Sequence, residues 1–195
     1  MLQKISNHKT AIILLHEIYG LNQFVEKKAT ELHLQGFDVF CPNMLRRESF
    51  PYCKAQEAYQ FFIENVGFDS WKEIIDLSAQ LKLTYEKVYL LGFSVGATIA
   101  WRCCESSSCD GIVCCYGSRI RDYLSLQPSC PTLLLFAEED SFDVPHVIKQ
   151  LSDKPNVAIF QFQASHGFLD EYSYSYDPVQ GQKAEAYIVD FIKKE

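Results

Sequence analysis

The chain has 195 residues, 48% of them hydrophobic and 22% charged. That is the composition of a globular domain able to bury a full core without disulfide or metal staples. Its 18 basic and 25 acidic residues give a formal charge of −7, which argues against phosphate-backbone binding, so no nucleic-acid partner is expected. No apolar run approaches the roughly 18 residues that span a bilayer. The early run from Ala11 to Leu15 is short and no small-residue cleavage site follows it, so neither membrane association nor a signal peptide is expected.

Pro and Gly punctuate the chain at short intervals. Thr10 to Leu15 (TAIILL) reads as a buried strand. Asn22 to Leu34 reads as an amphipathic helix with Phe24, Val25, Ala29 and Leu32 on its apolar face, ended by Gly36. A second strand is predicted over Phe37 to Pro42, then a helix over Ala55 to Val66. Gly67 interrupts, and Asp69 is expected to cap a helix running through Leu81. Lys87 to Gly92 is a third strand, Ala97 to Cys104 a short helix, and Gly111 to Gly117 a fourth strand. Pro131 to Ala137 is a fifth strand, and Val144 to Leu151 a helix with Pro145 in its first turn. Val157 to Phe162 is a sixth strand, and Gln180 to Lys193 a closing helix with Ala184, Tyr187, Ile188, Phe191 and Ile192 at helical spacing.

Alternating helices and continuously apolar strands imply a parallel sheet covered on both faces. The fold class expected is α/β, a three-layer sandwich of about six strands in one domain over residues 1–195. The eight cysteines (41, 53, 103, 104, 109, 114, 115 and 130) form no C-x-x-C pair. In a chain expected in the reducing cytoplasm they read as small buried hydrophobes.

The sharpest chemical signal is Gly92-Phe93-Ser94-Val95-Gly96, set between a strand and a helix. There the motif makes a nucleophile elbow: the turn is tight, the flanking glycines avoid Cβ contacts, and the serine hydroxyl stands at the carboxyl ends of the strands. The helix beneath supplies positive potential for an oxyanion. A serine nucleophile needs a base, and the base an orienting acid. His166, in ASHGF after the sixth strand, is the expected base; His8, His16, His33 and His146 all precede that strand. The acid comes from the run ending the fifth strand, with Asp140 favoured over Asp143 and then Glu138. His16-Glu17 lacks the second histidine of a zinc motif, because Gly20 holds that position, and no G-x-G-x-x-G follows the first strand. No metal and no cofactor are expected.

Taken together, HEIYG after the first strand, GFSVGA after the third, FAEED after the fifth and SHGF after the sixth resemble the dienelactone hydrolase family of α/β-hydrolases. The resemblance runs from about Ala11 to Ile192. It implies a [GA]-x-x-D acid at Asp140, a glutamate beside the nucleophile at Glu17, and oxyanion N–H groups from Ile18 and Val95. Well-known members carry cysteine where this chain has Ser94. Because a hydroxyl is far less acidic than a thiol, His166 must take its proton during attack.

Further expectations concern the pocket. Arg46 and Arg47 read either as a carboxylate clamp or as an ordinary charged loop. Tyr52, Tyr116, Phe142, Phe168 and Tyr172 are either pocket wall or core. Glu171 to Tyr176 (EYSYSY) is either a pocket rim or a surface loop. The short stretch between Tyr116 and Pro131 leaves little room for a lid, which favours a small or exposed substrate. The reading reached is a hydrolase cleaving a small carboxylic ester or lactone through an acyl-enzyme; a non-catalytic binding protein on the same fold is the alternative.

Overall fold

Leucine- and β-branched-rich stretches pair into one sheet in the computed structural model, which describes residues 1–194. The elements are β1 (Leu2–Lys4), β2 (Thr10–Leu15), α1 (Gln23–Leu34), β3 (Asp38–Cys41), α2 (Ala55–Asn65), α3 (Trp71–Leu81), β4 (Lys87–Phe93), α4 (Val95–Arg102), β5 (Gly111–Cys115), β6 (Thr132–Glu139), α5 (Val144–Leu151), β7 (Val157–Ser165) and α6 (Pro178–Lys194). The strand order is β1-β3-β2-β4-β5-β6-β7. Every neighbouring pair is parallel except β1 against β3.

The central strands are buried on both faces, which is why they read as unbroken apolar runs. Ile13 and Leu15 of β2, Leu90 of β4 and Leu134 of β6 face a core closed by residues of α2, α3, α4 and α5. Ile12 and Leu14, Leu91 and Leu135 face the opposite core, closed by α1 and α6. Successive side chains on a strand point to opposite faces, so one sheet feeds both layers. Between α1 and α6, Lys28 is buried and its ammonium donates to Glu31 at 2.9 Å and Glu185 at 2.6 Å.

The expectation of about six strands falls one short. β1 has three residues, partly exposed, and no apolar run announces it. It is a strand only because β3 offers it an edge, with Leu2 opposite Cys41 and Lys4 opposite Val39. Asp69 does not cap α3: it lies in a 3₁₀ turn over Phe68–Ser70, and its carboxylate accepts from Arg102 Nη1 at 2.7 Å. Gly67 at φ 65° makes the bend between α2 and α3. Asn22 caps α1 by accepting from the Val25 N–H. Among the described residues no helix is long and apolar enough to cross a membrane.

Candidate active site

Three strands end at the same edge of the sheet, and each delivers one polar side chain there. Ser94 follows β4 and precedes α4 with φ 53° and ψ −114°. This conformation is unusual for a residue with a Cβ and is held by its surroundings. A Cβ on Gly92 would meet the Gly96 carbonyl oxygen at 2.3 Å, and one on Gly96 the Leu15 carbonyl oxygen at 2.4 Å. Both positions therefore require glycine. The Ser94 N–H donates to the Cys115 carbonyl at 3.0 Å, tying the turn to β5.

Ser94 Oγ lies 2.9 Å from His166 Nε2, and His166 Nδ1 lies 2.7 Å from Asp140 Oδ2. Nδ1 faces a carboxylate and so carries the proton, which leaves Nε2 to accept from the serine hydroxyl. The loop after β7 is anchored to β6: the His166 N–H donates to the Glu139 carbonyl at 3.0 Å, and Ser165 Oγ donates to Glu139 at 2.7 Å. A register shift between Ala137 and Glu139 bends β6 just before Asp140. The other Asp140 oxygen accepts from the Ser141 N–H at 2.6 Å and from Ser141 Oγ at 3.1 Å. Asp143 instead caps α5, accepting from the His146 N–H at 3.0 Å. Glu138 is exposed.

Burial alone lowers the His166 pKa, but the hydrogen bond and charge of Asp140, with the charge of Glu17, outweigh it and hold the imidazole above its ordinary range. Glu17 is buried, and desolvation pushes its carboxyl up to about 7; His166 and Tyr116 pull it down, Asp170 pushes it further up. Its Oε1 has no hydrogen-bond partner. Tyr116, at φ 43° and fully buried, stacks edge-on against His166 at 5.1 Å between ring centres.

His16 is fully buried, and desolvation lowers its pKa to about 4. Its Nδ1 lies 2.7 Å from the Glu17 carbonyl, and its Nε2 accepts from the Met44 N–H at 3.0 Å. The imidazole is thus neutral with its proton on Nδ1. The Gly20 N–H also donates to the Glu17 carbonyl at 3.2 Å. A trans peptide points its N–H opposite its C=O, so two donors on the Glu17 carbonyl fix the direction of the Ile18 N–H. Val95 is the first residue of α4, where the helix leaves an N–H without an internal acceptor.

Ile18, Ser94, Val95, Asp140 and His166 line one open cleft of about 530 Å³. Sequence reasoning did not single out Tyr59, Ser118, Arg119, Ser141 and Ser165, which also line it. The position of Arg119 just after β5, at the same sheet edge, was the available signal. Of the Glu171–Tyr176 loop, Ser175 reaches the cleft.

Several expected pocket residues lie elsewhere. Arg46 is 74% exposed, pairs with Glu73 at 2.7 Å, and borders a separate groove with Asn65 and Asp69. Arg47 lies over the Phe50 ring at 3.9 Å. Together they form no carboxylate clamp, because the loop after β3 turns toward α2 and α3. Phe168 is fully buried against Tyr116 and Phe162, so its ring is core and not pocket wall. Phe142 packs on Phe136 beneath the Arg121 guanidinium, and Tyr172 is 42% exposed; neither lines the cleft. Glu17 is buried and does not line the cleft; its carboxylate helps to raise the His166 pKa.

Comparison with known proteins agrees with this architecture. A profile of the dienelactone hydrolase family matches residues 2–195. The uncharacterized protein YczH of Bacillus subtilis (strain 168) is 40% identical over 166 residues, 83% of this chain and 82% of its own length. The carboxymethylenebutenolidase of Pseudomonas putida is 26% identical over 155 residues, 72% of this chain, and the match spans 64% of that enzyme's length. A crystal structure of a candidate dienelactone hydrolase from Klebsiella pneumoniae subsp. pneumoniae MGH 78578 superposes with a TM-score of 0.77 at 12% identity, covering 96% of this chain and 88% of that one. The Pyrococcus furiosus esterase Pf2001 gives a TM-score of 0.61 at 14% identity, covering 96% and 83%. These matches and the sheet topology together mean that the chain belongs to the dienelactone hydrolase family.

Proposed function

We propose that the protein hydrolyses a small carboxylic ester or lactone through a serine acyl-enzyme. The observation that carries this reading is the unbroken hydrogen-bonded line from Ser94 through His166 to Asp140, opening onto the cleft. Membership of a hydrolase family supports the reaction class.

In this reading Ser94 Oγ attacks the substrate carbonyl while His166 Nε2 takes its proton. The negative oxygen that forms is met by the Ile18 and Val95 N–H groups. Asp140 holds the resulting imidazolium. His166 returns the proton to the leaving alkoxide, which departs as the alcohol. Water then repeats the cycle on the acyl-enzyme, losing its proton to His166, and the acid leaves as Ser94 recovers its own. The cleft is open and no long insertion covers it, which favours a compact substrate.

Ser94→Ala and His166→Ala are each expected to lower p-nitrophenyl acetate hydrolysis by about 10⁴-fold, with an unchanged circular dichroism spectrum. A fluorophosphonate probe should add once to the wild-type chain, at Ser94. Full turnover in either variant, or no adduct at Ser94, contradicts the proposal and favours a binding protein on a hydrolase fold.

A further inference from the structure

At the opposite edge of the sheet, where the strands begin, three side chains from separate stretches meet. His8 lies in the β1–β2 connection, His33 in the last turn of α1, and Asp38 at the start of β3. One ligand atom from each lies within 4.8 Å of the others. Asp38 is fully buried, and the two imidazoles stand 5.3 Å apart between ring centres. Asn7, at φ 60°, turns the connection that carries His8. None of these residues takes part in the reaction proposed above.

Their hydrogen bonding suits metal ligands. His33 Nδ1 lies 2.9 Å from the Phe37 carbonyl, so it carries the proton and Nε2 keeps a lone pair, which accepts from Ser6 Oγ at 3.0 Å. A backbone carbonyl that fixes the tautomer in this way is the usual outer partner of a metal-bound histidine. Asp38 accepts from the Ser6 N–H at 2.8 Å and from the Tyr85 hydroxyl at 3.0 Å. His8 Nδ1 is only 3.0 Å from Asp38 Oδ1, yet this buried nitrogen makes no hydrogen bond. Neighbouring donors of a tetrahedral ion with bonds of about 2.0–2.2 Å lie about 3.3–3.6 Å apart, so this pair needs to open by only a few tenths of an ångström to admit one.

We infer that His8, His33 and Asp38 form a binding site for one first-row divalent transition-metal ion, with Zn²⁺ the best fit. Two imidazole nitrogens and one carboxylate oxygen suit that class over Ca²⁺ or Mg²⁺, which take mainly oxygen ligands. Binding replaces the Ser6 donation to His33 Nε2, and water completes the shell. The ion fastens the β1–β2 connection and the end of α1 to β3.

The test uses the full, untagged chain freed of metal by chelation. Titration with Zn²⁺ against a chromogenic chelator should show one tight equivalent, and Zn²⁺ should raise Tm. Co²⁺ should give visible ligand-field bands without the near-ultraviolet band of a cobalt–thiolate bond. His8→Gln and His33→Gln should each weaken Zn²⁺ binding by at least about 100-fold and abolish the Tm shift. Circular dichroism checks that both variants are folded. Cys53→Ser, which removes the exposed thiol, should leave binding unchanged. Absence of a tight equivalent, a thiolate band, or wild-type affinity in both folded histidine variants overturns the inference.

Discussion

Asp140 and Asp143 are three residues apart, have the same side chain, and do different work. Asp140 meets His166 Nδ1 at 2.7 Å, whereas Asp143 spends its carboxylate on the first turn of α5. Asp140→Asn is expected to cut kcat by about 10⁴-fold, because the amide cannot hold the imidazole in the tautomer the reaction needs. Asp143→Asn should leave the rate near wild type and change stability by less than about 1 kcal/mol, since Asn caps helices as well as Asp does. The reverse ranking in steady-state kinetics would reassign the acid. The second prediction at this scale concerns pH. In the proposed mechanism His166 acts as base only when neutral, so kcat/KM should rise with pH through an apparent pKa above that of free imidazole. Glu17, whose own carboxyl is pushed up to about 7, contributes to that elevation in its ionised form. Glu17→Gln removes the charge, makes the imidazolium easier to deprotonate, and should move the acid limb to lower pH. An unmoved limb would show that Glu17 does not act on His166.

At the scale of elements, the strand–turn–helix from β4 to α4 depends on backbone approaching backbone. Gly96 sits 2.4 Å, measured from the position of a Cβ, from the carbonyl oxygen of Leu15 in β2. Gly96→Ala must push α4 away from β2, and the loop after β2 carries Ile18. The expected cost is about 3 kcal/mol in urea denaturation, with activity lost from the fraction that folds. Gly36, after α1, is the contrast. It has φ +96° and nothing within 4 Å of a Cβ. Gly36→Ala should cost only about 1–2 kcal/mol of backbone strain and leave the kinetics alone. Equal stability losses at the two sites would contradict the packing argument. The helix N-terminus of α4 was legible from the motif, but that Ser94 itself adopts φ 53° follows from the contacts around it.

Across the whole molecule the sheet separates two edges. The carboxyl ends of β4, β6 and β7 carry the proposed catalytic groups, while the edge where β3 begins carries the histidine–aspartate cluster. The layers between them bury seven of the eight cysteines and leave Cys53 exposed. Burial pushes the Cys41 and Cys104 thiols up to about 12, so they hold little reactive thiolate at neutral pH. A thiol reagent should therefore modify one cysteine quickly in the native protein and eight in denaturant. Fast reaction of several native thiols would mean that these layers open readily. The same layering explains why Phe168, three residues from the cleft-lining Ser165, is core: its ring takes the helix-covered face of the sheet.

The sequence by itself determined the alternating elements, the α/β class, the strand–turn–helix at Ser94 and the chain order of the proposed serine, acid and histidine. Each of these rests on local periodicity, a turn that demands glycine, or a short motif. Tertiary structure decided what depends on contacts between distant stretches. It made Leu2–Lys4 a strand by offering an edge, chose Asp140 over Asp143 as the partner of His166, and sent Arg46 to Glu73 instead of the cleft. It also brought Arg119 to the cleft wall and gathered His8, His33 and Asp38, residues whose separation along the chain carries no periodic signal. Hydrophobic pattern records which face of an element is buried, but a polar side chain's partner is settled only when the sheet and its loops have closed around it.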